Sequence, residues 1–336
     1  MYVCAFDNRY KLPRYFKDFI SCATRHTPLH LVTPSRRLID GKPLTKYQTQ
    51  HKLFLENLEY SVSFNSLCQT FKRQYIHLST NPAEFELPCF TRWFAFNVIT
   101  SALSGDEYIC MLDSDVLLLG SPGVVLDHIF NHAGESDCRL ITSFRDTGRA
   151  SIVVPAIVIL KKKTLNDFCK YLLSEYFDSS NRRSLVSCYF AQVGNGLQGG
   201  VSDMTAWSDY SRSRNIACFD LAEMEPPIVV DNFNDYILEL NPNRDHSFVF
   251  SGYKCCIDHG NFMSPLFAIH FQGGAKQYMP LFSSAHSSHN EVSIRIDDII
   301  SYATHLPSSV EPLFFRIISK AMRRLLIFFK TGYIRV

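Results

Sequence analysis

Short apolar runs recur along the chain, each closed by a polar or glycine-containing stretch, and between them lie segments whose apolar residues return every three or four positions. Runs of four to eight residues rich in β-branched and aromatic side chains predict strands, and a return near 3.6 predicts helices. Strands are predicted from Tyr2 to Phe6, Leu29 to Thr33, Tyr75 to Leu78, Tyr108 to Leu112, Leu140 to Phe144, Ile152 to Leu160, Ile216 to Leu221 and Leu266 to Phe271. Helices are predicted from Tyr15 to Thr24, Thr45 to Val62, Phe90 to Leu103 and Leu165 to Tyr176. This alternation predicts an α/β protein, a mainly parallel central sheet flanked by helices. The polar, glycine-containing stretch from Asp178 to Ser202 reads as a loop over the ligand-binding edge of that sheet.

One apolar run is interrupted in an informative way. Tyr108 to Leu119 reads YICMLDSDVLLL, with Asp113 and Asp115 one residue apart. Alternate side chains of an extended segment share a face, so both carboxylates are expected to project together from a strand end. Such a pair repels unless positive charge lies between its members. A hard divalent cation, Mn2+ or Mg2+, completed by phosphate oxygens of a substrate, supplies it. The plain alternative is a pair of strand-end aspartates capping a turn before Gly120, Ser121 and Pro122.

Far downstream, LFAIHF delivers His270 to the end of another predicted strand, and Gln272-Gly273-Gly274-Ala275-Lys276 follows. Imidazole supplies a third metal ligand, the glycines allow close backbone approach, and the lysine neutralises phosphate. Alone, the histidine reads equally as a core residue. In open α/β sheets ligands sit beyond the carboxyl ends of the strands, where both motifs fall.

Taken together these residues resemble the GT-A-fold glycosyltransferases, in pattern those of the glycogenin and bacterial lipopolysaccharide galactosyltransferase group. The matching segments run in order: VCAFDNRY, CFTRWFAFNVI with Arg92, DSD, GGVSDM, and HFQGGAK. The resemblance implies a nucleotide-sugar donor, a UDP-sugar in the first instance, and a glycan, glycolipid or protein acceptor. It implies that Asp113, Asp115 and His270 hold the metal and that Lys276 meets the diphosphate. It further implies that Ala5, Phe6, Asp7 and Tyr10 line the nucleotide base, that Asp113 also meets the ribose, and that Arg92, Ser114 and Gly273 complete donor binding. A structural ion pair is the other reading of Arg92. Where family members carry Asp-Gln-Asp, this chain has Ser202-Asp203-Met204, which leaves the stereochemical course of transfer open. Asp203 is expected near the sugar or acceptor in an orienting or base role, or else as a cap of the helix that follows it.

Two other readings stand beside this one. Haloacid-dehalogenase-type phosphatases also carry Asp-x-Asp after a strand, and DSDVL, LITS at 140–143, lysines at 161–163 and Asp297-Asp298 follow their order, with Asp113 as nucleophile and Asp115 as general acid. About a hundred residues of α/β pattern before the motif, and HFQGGAK after it, argue against this. The third reading is a sugar-nucleotide-binding module without turnover.

Composition narrows the field. A net charge of +2 with interspersed signs excludes a nucleic-acid partner as the working expectation. Eleven scattered cysteines without a CxxC pair predict reduced, buried thiols rather than zinc or a redox centre. The start, MYVCAFDNRY, is unlike a signal peptide, and no run approaches the ~20 apolar residues of a membrane span. A cytoplasmic protein is expected.

The last residues differ in kind. After Glu311 no acid follows, while Arg316, Lys320, Arg323, Arg324 and Lys330 take one arc of a helical wheel and apolar residues the other. Residues 1–311 are therefore expected to form the catalytic domain and 312–336 a basic amphipathic helix. That helix lies on the anionic inner face of a membrane or packs on the domain. His128 and His132 lie one helical turn apart without a partner carboxylate, and His286 and His289 sit in a serine-rich segment.

Overall fold

Apolar runs such as Tyr2 to Phe6 and Tyr108 to Leu112 become interior strands because both of their faces are covered. Val3, Ala5, Cys110 and Leu112 enter one hydrophobic core, and Cys4, Ile109 and Met111 the other. Strand periodicity thus divides each run between two layers. The computed structural model describes residues 1–304 apart from 8, 10, 34–37, 40–41, 45–51, 134–137, 147–150, 195–198, 222–228, 231–232, 234–245 and 253.

Among them the strands are β1 (Tyr2–Phe6), β2 (Lys11–Leu12), β3 (Leu29–Val32), β4 (Leu38–Ile39), β5 (Lys42–Pro43), β6 (Leu53–Glu56), β7 (Tyr108–Leu112), β8 (Val116–Leu118), β9 (Leu140–Asp146), β10 (Ser151–Lys161), β11 (Cys218–Asp220), β12 (Val229–Val230), β13 (Ser247–Ser251), β14 (Lys254–Asp258), β15 (Met263–Leu266), β16 (Ala268–His270) and β17 (Val292–Arg295). The helices are α1 (Phe16–His26), α2 (Val62–Gln74), α3 (Ala83–Ile99), α4 (Pro122–Ala133), α5 (Lys162–Ser174), α6 (Ser179–Gly194), α7 (Asp203–Ser213), α8 (Met279–Ser287) and α9 (Ile296–Thr304).

The central sheet has the order β11-β9-β10-β7-β1-β3-β6. Its β7-β1-β3-β6 half is parallel, while β10 runs antiparallel to both β7 and β9. The expected α/β architecture, a mainly parallel sheet between helices, is therefore present. In a second sheet, β12-β16-β8, antiparallel pairing of Ala268 with Leu118 and His270 with Val116 brings the two motifs together. A hairpin sheet, β15-β14-β13-β17, adjoins them in sequence.

Several expected elements differ. No strand forms at Tyr75 to Leu78; the Tyr75 ring packs against Phe71, Phe90 and Phe177, so aromatic burial rather than a ladder explains the apolar run. The helix predicted over Thr45 to Val62 is replaced, where described, by edge strand β6. Its Phe54 stacks on His30 with centroids 4.8 Å apart, while Leu53 enters the core. Short apolar runs do not by themselves separate strand from helix. The stretch from Asp178 to Ser202 is largely helix α6, not loop. The Asp178 carboxylate accepts hydrogen bonds from Asn181 N–H at 2.8 Å and Ser180 Oγ at 2.7 Å and so caps its first turn. All eleven cysteines are free thiols; seven are buried as expected, while Cys89, Cys218 and Cys256 are half-buried and Cys188 is exposed. Among the described residues no helix is long and apolar enough to cross a membrane. The tail of 312–336, with the domain division drawn there, and Tyr10 lie outside the described residues.

Candidate active site

The parallel strands β1 and β7 pair Ala5 with Leu112, so both expose their following residues at the same carboxyl edge. There Phe6, Asp7, Asp113, Ser114 and Asp115 border a cavity of about 490 Å³. Ala5 itself is fully buried in the sheet and does not line it. The aspartates are not an extension of β7. Asp113 C=O accepts Val116 N–H at 3.1 Å, making DSDV a tight turn that reverses the chain into β8, yet both carboxylates reach the cavity.

His270 arrives at the end of β16 beside this turn, where Phe271 N–H donates to Asp115 C=O at 2.9 Å. Its Nε2 lies 3.6 Å from Asp115 Oδ1. Gly273 does not line the cavity; its φ of +54° starts the short 3₁₀ helix Gly273–Tyr278, which turns Lys276 back to place Nζ 2.9 Å from Asp115 Oδ2. The opposing wall is the first half of α3, with Phe85, Pro88, Cys89 and Arg92. Phe85 is 59% exposed there, a wide apolar face beside the charged groups.

Arg92 joins two carboxylates. It donates through Nη1 to Asp113 and through Nη2 to Asp203 Oδ2 at 2.6 Å. Asp203 also accepts from Trp93 Nε1 at 3.1 Å, is only 3% exposed, and stands behind Arg92 rather than on the cavity. It is the first residue of α7, not its cap. Ser202 caps, in a reciprocal box with Thr205. The preceding Gly200 (φ +150°) touches the segment before α3 so closely that a Cβ would lie 2.3 Å from Leu78 O. That contact, with Val201 N–H donating to Leu78 C=O at 2.7 Å, fixes where α7 begins and hence where Asp203 meets Arg92.

Charge sets the protonation of these groups. Burial, reinforced by Asp115, pushes the Asp113 carboxyl up to about 6 in spite of Arg92. For Asp115 burial acts upward too, but the hydrogen bond and charge of His270 and the Lys276 ammonium outweigh it and hold the group well below the ordinary carboxylate range. Arg92 is stabilised as a cation because Asp113 and Asp203 overcome its burial. Lys276 is likewise raised by Asp115 against its burial.

Sequence reasoning missed Arg9, Tyr15 and Trp93. Arg9 holds Asp7 through its own N–H at 2.9 Å and its guanidinium, and reaches across to Ser114 Oγ at 3.0 Å and Tyr15 Oη at 3.0 Å. The Tyr15 ring has both cations near it, Lys276 Nζ at 5.5 Å and Arg9 Cζ at 5.9 Å from its centroid. The signal for Arg9 was its place two residues beyond a strand-end aspartate. Residues required by the phosphatase reading lie elsewhere: Lys162 Nζ donates to Asn97 C=O at 2.9 Å, and Asp298 accepts from Arg295 N–H at 2.9 Å.

Among the described residues no three His, Cys, Asp or Glu side chains surround a common point as a ready metal cage. The donor set nevertheless suits a hard cation: two carboxylates and an imidazole, with Asp113 raised by its burial and by the neighbouring Asp115 charge. The cavity lining carries four carboxylates, Asp7, Glu84, Asp113 and Asp115, against three cations, Arg9, Arg92 and Lys276. A polyphosphate entering it would need added positive charge.

No protein-family model matches the chain, and no curated protein matches it in sequence. Structurally it is similar to glycosyltransferases. The apo form of mouse xyloside xylosyltransferase 1 aligns at 10% identity over 66% of this chain and 84% of that one, with a TM-score of 0.42. The galactosyltransferase LgtC, in complex with donor and acceptor sugar analogues, aligns at 10% identity over 85% and 96%, also at 0.42. GlyE of Streptococcus pneumoniae aligns at 13% identity over 92% of this chain and 62% of its own length, at 0.38.

Proposed function

We propose that the chain is a GT-A-type glycosyltransferase that moves a sugar from a nucleotide-sugar donor, a UDP-sugar, to a glycan, lipid-linked or protein acceptor, with Mn2+ or Mg2+ held by Asp113, Asp115 and His270. One observation carries this reading: two motifs more than 150 residues apart in sequence converge through β8–β16 pairing, where His270 and Lys276 meet Asp115 beside a cavity whose lining carboxylates outnumber its cations. When bound, the metal supplies Lewis-acid stabilisation of the charge that builds on a departing diphosphate.

The chain's own residues do the rest. Lys276 and Arg9, flanking Tyr15, meet the diphosphate with charge-assisted hydrogen bonds. Phe6 and Asp7, with the Asp7 carboxylate held rigid by Arg9, border the nucleoside, and Phe85 offers an apolar face to a sugar ring. Asp203 takes the orienting alternative: it fixes the guanidinium of Arg92, which in turn fixes Asp113 beside the donor.

Purified protein incubated with UDP- and GDP-sugars, with Mn2+ or with chelator, is expected to release nucleoside diphosphate only with metal. Absence of release from every donor, despite calorimetric binding of UDP, would leave the binding-module reading in its place. Hydrolysis of simple phosphomonoesters with an adduct on Asp113 would establish the phosphatase.

A further inference from the structure

A second cavity, of about 470 Å³, lies at the far end of the same two strands and belongs to no part of the proposed reaction. Its floor is Leu119 and Gly120 after β8, and Leu266 and Phe267 before β16, tied by Leu119 N–H donating to Phe267 C=O at 2.7 Å. The first turns of α4, with Val124, Val125 and His128, form one wall. His26, at the end of α1, and Lys254, at the start of β14, complete it.

The lining has a definite chemical character. Its body is aliphatic and aromatic, and its ionisable groups besides two cysteines are all basic: His26, His128 and Lys254, with no carboxylate among the lining residues. Lys254 is exposed and so stands at the mouth. The first turn of the 12-residue helix α4, the partially positive end of its dipole, lies on the same rim. Cavities of roughly 300–1,000 Å³ with an apolar body and a few convergent polar groups are the usual form of small-molecule sites. An apolar chain fits the body, and only an anionic head fits the mouth. A cation would meet like charge and a zwitterion would leave its positive end unpaired.

We propose that this pocket binds a single-chain amphipathic anion, an apolar chain ending in a carboxylate, with the chain between Val125, Leu266 and Phe267 and the head at Lys254 and His128. This site is independent of the glycosyltransferase reading. The histidine that the sequence singled out on α4 finds its role here, as a hydrogen-bonding group at the head rather than a metal ligand.

The test is calorimetric titration of the full-length protein, below micellar concentrations, with dodecanoate, dodecyltrimethylammonium and acetate. Dodecanoate is expected to bind with one-to-one stoichiometry, the cationic amphiphile at least about tenfold more weakly, and acetate not measurably. Lys254→Glu should weaken dodecanoate about fivefold or more, because an attractive charge is replaced by a repulsive one. Val124→Trp should abolish binding by filling the rim. Both positions are exposed, so both variants are expected to retain the wild-type melting temperature. Should one fail to fold, the other and the head-group comparison still decide. Absence of saturable dodecanoate binding, equal affinity for the two head groups, or wild-type affinity in either folded variant overturns the proposal. The last outcome would place the amphiphile elsewhere on the chain.

Discussion

At one end of the β8–β16 ladder stand Asp113, Asp115, His270 and Lys276, and at the other, about 13 Å along the strand, Leu119, Leu266 and Phe267 close an apolar pocket that has only basic ionisable side chains besides cysteine. The first end is a set of opposed charges in which the lining carboxylates outnumber the cations. The second is uncharged apart from its rim. A two-strand ladder needs only its backbone bonds and its buried Val116, Leu117, Leu118, Ala268 and Ile269 to hold together. The residues that flank it are therefore free to differ, and the contrast predicts which substitutions act at one end without reaching the other.

The largest effect is expected from Asp115→Asn. It removes one charge from the cation site and leaves Lys276 and His270 without their common anion. Metal-dependent turnover should fall on the order of a thousandfold, since charge stabilisation at such a site is worth several kcal/mol. Dodecanoate affinity at the other end should not change. Undiminished turnover with Mn2+ would remove Asp115 from the mechanism, and a parallel loss at the apolar pocket would show that the two ends are not separable.

Asp203→Asn should act next. The amide keeps a hydrogen bond to Arg92 but not its charge, so Arg92 is held less firmly and Asp113 with it. A loss of 10- to 100-fold in kcat/KM is expected, as for other residues that orient a ligand rather than supply it. If Asp203 instead takes a proton from the acceptor, kcat alone should collapse while donor hydrolysis in the absence of acceptor persists. Measuring both separates the roles.

These two positions also show what could be read in advance. DSD and HFQGGAK were legible because each is a compact departure from an apolar run, and the strands β1, β7 and β10 were legible because burial on both faces writes itself as a nearly continuous apolar run. The partnership of Asp203 with Arg92 was not, since 111 residues separate them and the Gly200 contact that brings them together depends on a close approach of backbones. Helix α6 was missed because its cap, Asp178, sits in a polar segment without the apolar stripe by which helices are usually recognised. The apolar pocket draws on α1, β8, α4, β14 and the β15–β16 junction, and nothing local in any of them marks it.

A smaller effect separates the two cations near Tyr15. Lys276→Ala should weaken binding of a nucleoside diphosphate about 10- to 100-fold in the presence of Mn2+, from the loss of a charge-assisted bond worth ~1.5–3 kcal/mol. Arg9→Ala should cost less, because its side chain is 42% exposed and solvent screens it. Calorimetry on both variants tests the order. Equal affinity in wild type and Lys276→Ala would put that lysine outside the donor site.

The smallest effect belongs to the apolar end and concerns His26. Burial, with the nearby Arg25 charge, lowers its pKa from the ordinary 6.5 to about 4, and its Nε2 stands 3.3 Å from that of the fully buried His286. The folded protein therefore prefers the neutral ring, while the unfolded chain takes up a proton first as pH falls. The contribution of His26 to stability is complete above pH 6.5 and is lost as pH falls toward 4. Urea denaturation at pH 7 and pH 4.5 should show a smaller drop in stability for His26→Gln than for wild type, with turnover of the two proteins at pH 7 the same. An equal drop in both would mean that His26 is protonated without cost.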